Sequence, residues 1–383
     1  MDDSYEELAR PLRVFFAFRD APERRAVLHS PDSLDRYRLF GLEETARRGV
    51  EVRHNLERDD TPTRWSRATR RAVNGTLDAT GALGGDFATI LDSRSAINDA
   101  DVVFSTVDTV GIPLMLLKRA RLVHPPLVYT AIGLPERLAR LRNERARRLF
   151  RSALRSTHTV IAYSEAEAGR LREWIGPDGP PVVFVPFGVD LGAFRPAERE
   201  ASSVDVVAIG ADPQRDFELL LSVAARRPGV SFRIVASADR VRVLGSVPAN
   251  VVIETDIPLE AVRERLAQAR VVALPVRANS YSGATTTLLQ AMAMAKPVIV
   301  SRTEAIDEGY DLANCVNCRL VAPGDAEAFG AAVDELLADP TAAGALGQEA
   351  RRTVVDGFSW PRYTDALWRI VSAAAEASRK NRR

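Results

Sequence analysis

Short apolar runs recur along the chain, separated by longer stretches in which apolar and charged residues are mixed. In the first half we predict strands at Leu12–Phe18, Val50–His54, Asp101–Ser105, Leu127–Thr130, Val160–Tyr163 and Val182–Val185, and all of these except Val50–His54 are largely apolar. Runs of this length that are apolar throughout are typical of strands buried on both faces. Alternation of such strands with helical stretches predicts a parallel sheet wrapped by helices.

Helix boundaries are predicted from capping residues. Ser30 followed by Pro31 indicates the start of a helix that ends before Gly49. Glu136–Leu154 reads as one long Arg-rich helix. Ser164 is predicted to cap a helix that runs to Trp174.

A second strand–helix series follows the charged segment Arg195–Ser203, which is the best linker candidate. The predicted elements are strands at Val204–Ile209, Phe232–Ala236, Val251–Glu254, Val271–Pro275 and Val298–Ser301, and helices at Phe217–Arg226, Pro258–Ala269, Thr285–Ala295, Ala326–Ala338 and Trp360–Ala375. A length of 383 residues suits two domains. The pattern therefore predicts an α/β protein with two Rossmann-like, doubly wound domains.

The balance of basic and acidic residues argues against some classes of function. The 52 basic and 51 acidic residues nearly cancel, which argues against a nucleic-acid partner. The acidic N-terminus has no apolar signal core, and no run reaches the roughly 18 residues needed to cross a bilayer. The chain is therefore predicted to be cytoplasmic, with peripheral membrane contact and oligomeric state left open. Its very few lysines beside many arginines suggest a bacterial source.

The sequence gives little indication of a metal site or of redox chemistry. Cys315 and Cys318 form a single C-x-x-C without a second ligand pair, and we interpret them as inert. Asp99-Ala-Asp101 spells D-x-D but immediately precedes a predicted buried strand. No metal site is therefore expected.

One loop leads directly into a helix that carries no charge in its first turns. Ser280, Ser282 and Gly283 lie in the loop, and the helix begins at Thr285 and Thr286. Free amide groups and the helix dipole at such a start favour an anion such as a diphosphate. An ordinary helix start with a serine cap is the alternative. A dinucleotide-dependent oxidoreductase is a further alternative, but no G-x-G-x-x-G follows Phe18 or Ile209.

Three segments resemble glycosyltransferase family 4. Residues 281–300 read YSGATTTLLQAMAMAKPVIV and resemble the family's donor-site signature, E-G-x-x-x-x-L-L-E-A-M-A-x-G-x-P-V-I. Residues 185–196, VPFGVDLGAFRP, resemble its interdomain hinge, and residues 159–175 resemble its A-D-x-V-I-A-x-S stretch.

The resemblance implies a GT-B fold, with two domains facing across a cleft. Residues 1–187 would bind the acceptor, residues 188–359 would bind the donor, and helix 360–383 would pack back on the first domain. The implied reaction is transfer of a sugar from a UDP- or GDP-sugar to an acceptor, retaining and metal-independent, with no cofactor beyond this co-substrate.

Two departures from the family pattern lie in the donor signature. The family's paired glutamates, eight positions apart, correspond here to Ser282 and Gln290. Gln290 keeps an acceptor for ribose hydroxyls, whereas Ser282 lacks the negative charge. A catalytically impaired sugar-nucleotide-binding protein or regulatory subunit is therefore the alternative function.

The remaining candidate residues follow from the same resemblance. Arg215 corresponds to a basic position after the first strand of the second domain and is the predicted catalytic residue, because a guanidinium suits a phosphate. The predicted donor-binding set is Gly210, Arg215, Ser282, Gly283, Ala284, Thr285, Thr286 and Gln290. Phe18–Arg25 is predicted to be a charged loop, with Arg19 and Asp20 as acceptor contacts. The family's usual histidine after the Leu127–Thr130 strand is absent.

Overall fold

A computed structural model describes residues 11–30, 33–57, 68, 71–75, 84–197, 203–281 and 283–382. The chain forms two compact units. One takes in the chain up to Val185 and again from Thr364 onward. The other is Pro186–Tyr363.

The first unit is built on a six-stranded parallel sheet in the order β2-β1-β3-β4-β5-β6. Its strands are β1 (Arg13–Ala17), β2 (Glu51–His54), β3 (Val102–Ser105), β4 (Leu127–Ala131), β5 (Thr159–Ala162) and β6 (Val182–Phe184). Strands β3, β4 and β5 are buried at every position, as their unbroken apolar runs predict. The strand order reverses between β1 and β3.

Helices cover this sheet. They are α1 (Pro22–Leu28), a 3-10 helix (Leu34–Leu39), α2 (Leu42–Ala46), α3 (Phe87–Asp92), α4 (Arg94–Asp99), α5 (Asp108–Arg119), α6 (Leu134–Ala139), α7 (Glu144–Arg155) and α8 (Glu165–Ile175). The predicted cap of α8 is confirmed, because the Ser164 side chain accepts a hydrogen bond from the amide of Glu167 at 3.3 Å.

Two helix predictions and one loop prediction in this unit are wrong. Pro31 lies outside the described residues, and the segment expected to be one helix is a 3-10 helix and α2, separated by left-handed Phe40 and Gly41. The expected loop Phe18–Arg25 turns into α1 at Pro22. The expected helix Glu136–Leu154 is divided into α6 and α7, because Asn143 caps α7 by accepting from the amide of Arg145.

The second unit contains another six-stranded parallel sheet, in the order β12-β11-β10-β7-β8-β9. Its strands are β7 (Val204–Ile209), β8 (Phe232–Ala236), β9 (Val251–Thr255), β10 (Ala269–Leu274), β11 (Val298–Ser301) and β12 (Arg319–Val321). Phe217, Phe232 and Phe329 lie in its hydrophobic core. Here the strand order reverses between β7 and β10.

The helices of the second unit are α9 (Phe217–Ala225), α10 (Ala238–Val241), α11 (Leu259–Gln268), α12 (Thr285–Ala293), α13 (Glu304–Asp307), α14 (Ala326–Ala338) and α15 (Pro340–Gly357). Helix α15 was not anticipated from the sequence, although Asp339 caps it and Pro340 begins it. Both are ordinary helix-start signals.

The last helix, α16, spans Trp360–Arg382, and from Thr364 it belongs to the first unit. Arg48 pairs with Asp365 and lies over the ring of Trp368 at 5.5 Å, while Arg379 pairs with Asp101 at 3.1 Å. None of the described helices combines the length and apolarity needed to cross a membrane.

Candidate functional site

The loops that follow β7, β10 and β11 are joined by hydrogen bonds. The Asp216 amide donates to Pro275 O at 2.9 Å, and the Arg277 amide donates to Gln214 O at 2.8 Å. The Ser301 hydroxyl, at the end of β11, accepts from the amide of Val276 at 2.9 Å. Because the strand order reverses between β7 and β10, this edge is where open α/β sheets usually bind ligands.

Arg215 is buried at the centre of this edge, with only 2% of its surface exposed. Its Nε and Nη1 atoms have no hydrogen-bond acceptor in the described part of the chain. Burial lowers the pKa of Arg215 to about 10, an effect that the nearby Asp212 partly opposes. A guanidinium that is still largely protonated at neutral pH and lacks buried acceptors is suited to an incoming anion.

Gly210 makes room for this side chain. A Cβ atom at position 210 would lie 2.1 Å from Arg215 Nε. The glycine therefore serves the placement of Arg215, a role for which the sequence offered no specific signal.

Arg240, on α10 after β8, provides a second guanidinium close by. Its Nη2 donates to the carbonyl oxygen of Arg215 at 3.3 Å, and its buried Nε has no acceptor within the described residues. Sequence reasoning missed Arg240. Its position just beyond a strand's carboxyl end was the available signal.

The loop that follows β10 leads into the N-terminus of α12. Its N-cap residue, Ala284, provides no side-chain cap, and the buried Thr285 hydroxyl has no partner among the described residues. Thr286 is half-buried, and Gln290 is buried further along the same helix. Ser282 lies outside the described residues. The first amides of α12 therefore have no capping side chain at Ala284, the arrangement that favours an anion.

A carboxylate that sequence reasoning did not consider lies against this loop. Asp212 accepts a hydrogen bond from the Tyr281 hydroxyl, and a Cβ atom on Gly283 would lie 2.6 Å from the Asp212 carboxylate. Asp212 also accepts from the amide of Gln214 at 2.8 Å. The candidate site thus combines two guanidinium groups, an uncapped helix start and one carboxylate.

Arg19 and Asp20, the predicted acceptor contacts, are exposed residues just beyond β1. Asp20 is engaged by Arg25, whose Nε donates to it at 2.7 Å. The carbonyl oxygen of Arg19 accepts from Arg24 Nη1 at 2.6 Å. The two residues thus lie at the carboxyl edge of the first sheet, beside further arginines.

Two buried carboxyl groups lie near the carboxyl ends of β3, β4 and β5. Asp108 accepts from the Tyr129 hydroxyl at 2.7 Å, and Glu167 accepts from the amide of Gly133 at 2.6 Å. Burial raises the pKa of Asp108 to about 6, although Arg137 opposes the shift. Burial, together with the charge of Asp108, raises the pKa of Glu167 to about 8.

Among the described residues, no group of three or more His, Cys, Asp and Glu side chains could hold a metal ion. The Asp101 carboxylate instead accepts from the Arg13 amide at 3.0 Å and pairs with Arg379. Cys315 is exposed and Cys318 is buried, and burial raises the pKa of Cys318 to about 12.

Known proteins similar to this chain are sugar-transfer enzymes. The chain is 25% identical to an MMP alpha-(1->4)-mannosyltransferase of Mycolicibacterium hassiacum over 92% of this chain and 88% of that protein. It is 28% identical to a D-inositol 3-phosphate glycosyltransferase of Kineococcus radiotolerans over 57% of each protein.

Solved structures share the fold. A sucrose-phosphate synthase of Thermosynechococcus elongatus superimposes with a TM-score of 0.71 at 18% identity, covering 95% of this chain and all of that one. Anabaena HepE in complex with UDP-glucose superimposes with a TM-score of 0.68 at 14% identity, covering 94% of this chain and all of HepE. The fold is therefore GT-B.

Two family models match the chain in succession. Residues 37–188 match the model described as "Glycosyl transferase 4-like domain", and residues 191–339 match the model described as "Glycosyl transferases group 1". Because these two matches together span most of the sequence, the chain belongs to the family 4 type of glycosyltransferases.

Proposed function

We propose that this glycosyltransferase takes its sugar from a nucleoside diphosphate donor that binds at the carboxyl edge of the second sheet. The observation that carries the proposal is the buried guanidinium of Arg215, whose Nε and Nη1 lack acceptors among the described residues. The diphosphate is the part of the nucleotide sugar that would accept hydrogen bonds from these two N–H groups. The HepE structure with UDP-glucose supports the same donor class.

Within this proposal, the diphosphate contacts Arg215 and the first amides of α12, with Arg240 close by. The other residues proposed to bind the donor are Gly210, Gly283, Ala284, Thr285, Thr286 and Gln290, together with Ser282, which lies outside the described residues. Gln290 is proposed to hold the ribose through its amide oxygen. The donor is proposed to be a UDP- or GDP-sugar.

Departure of the diphosphate leaves positive charge on the sugar and adds negative charge to the leaving group. Hydrogen-bond donors that are held in place toward this developing charge lower the activation barrier of the transfer. Arg215 and the α12 amides would provide this stabilisation without a resident metal or cofactor. We further propose that the departing phosphate takes the acceptor's proton and that the new bond retains the anomeric configuration.

The decisive test measures thermal stabilisation by UDP, GDP, dTDP and ADP, because a ligand that binds only the folded state raises its stability. We expect UDP or GDP to raise the midpoint. In the Arg215→Ala variant we expect nucleotide affinity to fall by at least about tenfold and turnover by roughly a hundredfold.

Arg270→Ala is the matched control. Arg270 is the second residue of β10, at the opposite edge of the same sheet, and pairs with Asp205 at 2.9 Å. Loss of that side chain should leave nucleotide binding unchanged. Unaltered nucleotide affinity and turnover in Arg215→Ala would overturn the assignment.

Retention and metal independence need separate measurements. The anomeric configuration of the product, followed by proton NMR during turnover, should match that of the donor. Transfer should persist in excess EDTA. Inversion of the anomeric centre, or activity that returns only when a divalent cation is added back, would contradict the respective claim.

A further inference from the structure

An arginine cluster, formed by Arg19, Arg24 and Arg38, surrounds the loop that follows β1. Arg24 Nη1 donates to the carbonyl oxygen of Arg19 at 2.6 Å, and Arg24 Nε donates to the carbonyl oxygen of Arg38 at 3.2 Å. The Arg24 guanidinium lies 5.6 Å from the ring centre of Phe18 and 5.9 Å from that of Phe40. Two backbone bonds and two aromatic rings thus hold this cation in place.

The backbone beneath the cluster is also held firmly. Asn55, which follows β2, accepts from the amide of Phe18 at 2.8 Å and donates to its carbonyl oxygen at 3.0 Å. The Thr106 hydroxyl, just after β3, donates to Ala17 O at 2.9 Å. The loop that bears Arg19 therefore leaves a rigid platform at the end of β1.

The nearby carboxylates pair with Arg38 and with the neighbouring Arg25, and they leave Arg19 and Arg24 without an ion pair among the described residues. Asp20 is engaged by Arg25 and Asp35 by Arg38, each at under 3 Å. Within the described residues, no carboxylate lies within ion-pair distance of Arg19 or Arg24. Burial lowers the pKa of Arg24 to about 10, and the charges of Arg19 and Arg38 lower it further than the nearby carboxylates raise it.

The position of the cluster points to a ligand. In the first sheet the strand order reverses between β1 and β3, and open α/β sheets bind ligands at the carboxyl ends of the strands on either side of such a reversal. Half-buried Arg24 and exposed Arg19 repel each other, and an anion placed between them would stabilise both charges.

We propose that the cluster binds an oxyanion, a phosphate or a carboxylate, carried by the acceptor. This inference rests on the proposed function, because an acceptor is meaningful only for sugar transfer. It adds that the acceptor is negatively charged and that Arg19 and Arg24 select it over a neutral polyol. Arg24, fixed by its backbone bonds, provides the rigid contact, and exposed Arg19 closes on the ligand.

The experiment uses the full chain saturated with UDP, so that the proposed donor site is occupied. Glucose 6-phosphate, glucuronate and glucose are titrated separately by calorimetry, and hydrogen exchange is followed at residues 17–28 and 33–40. We expect at least one of the two anions to bind and slow exchange in those segments, whereas glucose does neither. Glucose 6-phosphate and glucuronate distinguish a phosphate ester from a carboxylate.

Two variants and one control sharpen the test. Arg19→Ala, at an exposed position, and Arg24→Gln should each weaken binding of the anion by about tenfold. Arg53→Ala removes the same charge from β2, where Arg53 pairs with Glu51, and should change the affinity by less than about twofold.

The inference is overturned if neither anion protects residues 17–28, if protection appears only at residues 210–216 and 283–290, or if Arg19→Ala binds the anion as the unaltered protein does. Failure of UDP to bind would instead count against the proposed donor site. Exchange at residues 17–28 reports on the first unit, so the two failures are distinguishable.

Discussion

The hydroxyl of Tyr281 lies 3.0 and 2.9 Å from the two carboxylate oxygens of Asp212, residues that are 69 positions apart in sequence. This contact joins the loop after β10 to the loop after β7. It also keeps a negative charge beside Gly283 and near Arg215, where the proposal puts the donor's diphosphate.

A like charge beside an anion site weakens binding of the anion, so Asp212→Asn should tighten binding of UDP or GDP. Asparagine keeps an oxygen that can accept from Tyr281 and from the amide of Gln214, so the loop should retain its shape. Two unit charges about 3 to 6 Å apart in a water-like dielectric repel each other by about 0.7 to 1.4 kcal/mol, which predicts a gain in affinity of roughly threefold to tenfold. Calorimetric titration of the free nucleotide measures it.

The control for this variant is Asp239→Asn, which removes an exposed charge on α10 paired with Arg242. It should leave affinity nearly unchanged. Weaker binding of a nucleotide sugar by Asp212→Asn, with affinity for the free nucleotide preserved, would contradict simple repulsion and would make Asp212 a contact of the sugar.

Gly210→Ala should disable the donor site without removing any functional group. The added Cβ would approach Arg215 Nε to 2.1 Å and Cδ to 2.9 Å, so the guanidinium must leave its position. We expect nucleotide affinity to fall nearly as far as in Arg215→Ala, together with about 1 to 3 kcal/mol of lost stability from the forced repacking.

Gly229→Ala is the matched control for this substitution, because a Cβ there meets nothing within 4 Å. Its nucleotide affinity should equal that of the unaltered protein. If Gly210→Ala binds nucleotide normally, Arg215 is not held by that glycine in the way described.

The strands were predictable because burial on both faces demands unbroken apolar runs. Val298–Ser301 is observed with the predicted boundaries, and so is Phe232–Ala236, in which only Arg233 interrupts the apolar run. The helix breaks were harder to predict. Asn143 is a capping residue inside an otherwise helical pattern, and the turn at Gly41 is packed against Thr364 of the last helix, a contact that local sequence does not reveal.

In the candidate site, too, some features could be predicted from the sequence and others could not. Arg215 was identified from its place after a strand, in a segment matched to a known pattern. Its burial and its position against Gly210 depend on hydrogen bonds to the loop after β10. Asp212 lies in the same loop as Arg215 and Arg240 lies just beyond β8, so sequence position placed both at this edge, but their contacts with Tyr281 and with the carbonyl oxygen of Arg215 depend on tertiary structure.

The buried carboxyl of Glu167 makes folding stability depend on pH. Its pKa is raised from 4.5 to about 8 in the folded protein, so the unfolded chain loses this proton first as pH rises. The contribution of Glu167 to the free energy of unfolding is greatest below about pH 4.5 and declines as pH rises. It becomes constant above about pH 8. The pKa of Asp108 is also raised, to about 6, so its contribution changes mainly below that value.

Glu167→Gln should therefore flatten the stability curve between pH 6 and 8. The amide oxygen can still accept from Gly133, but the side chain no longer ionises. Between these two pH values the unaltered protein should lose about 1 to 3 kcal/mol more than the variant, as measured by urea unfolding. Other titrating groups are common to both proteins and cancel in the comparison.

Glu173→Gln, at an exposed position on the same helix, should reproduce the unaltered curve. Parallel curves for Glu167→Gln and the unaltered protein would show that Glu167 does not hold a proton in this pH range.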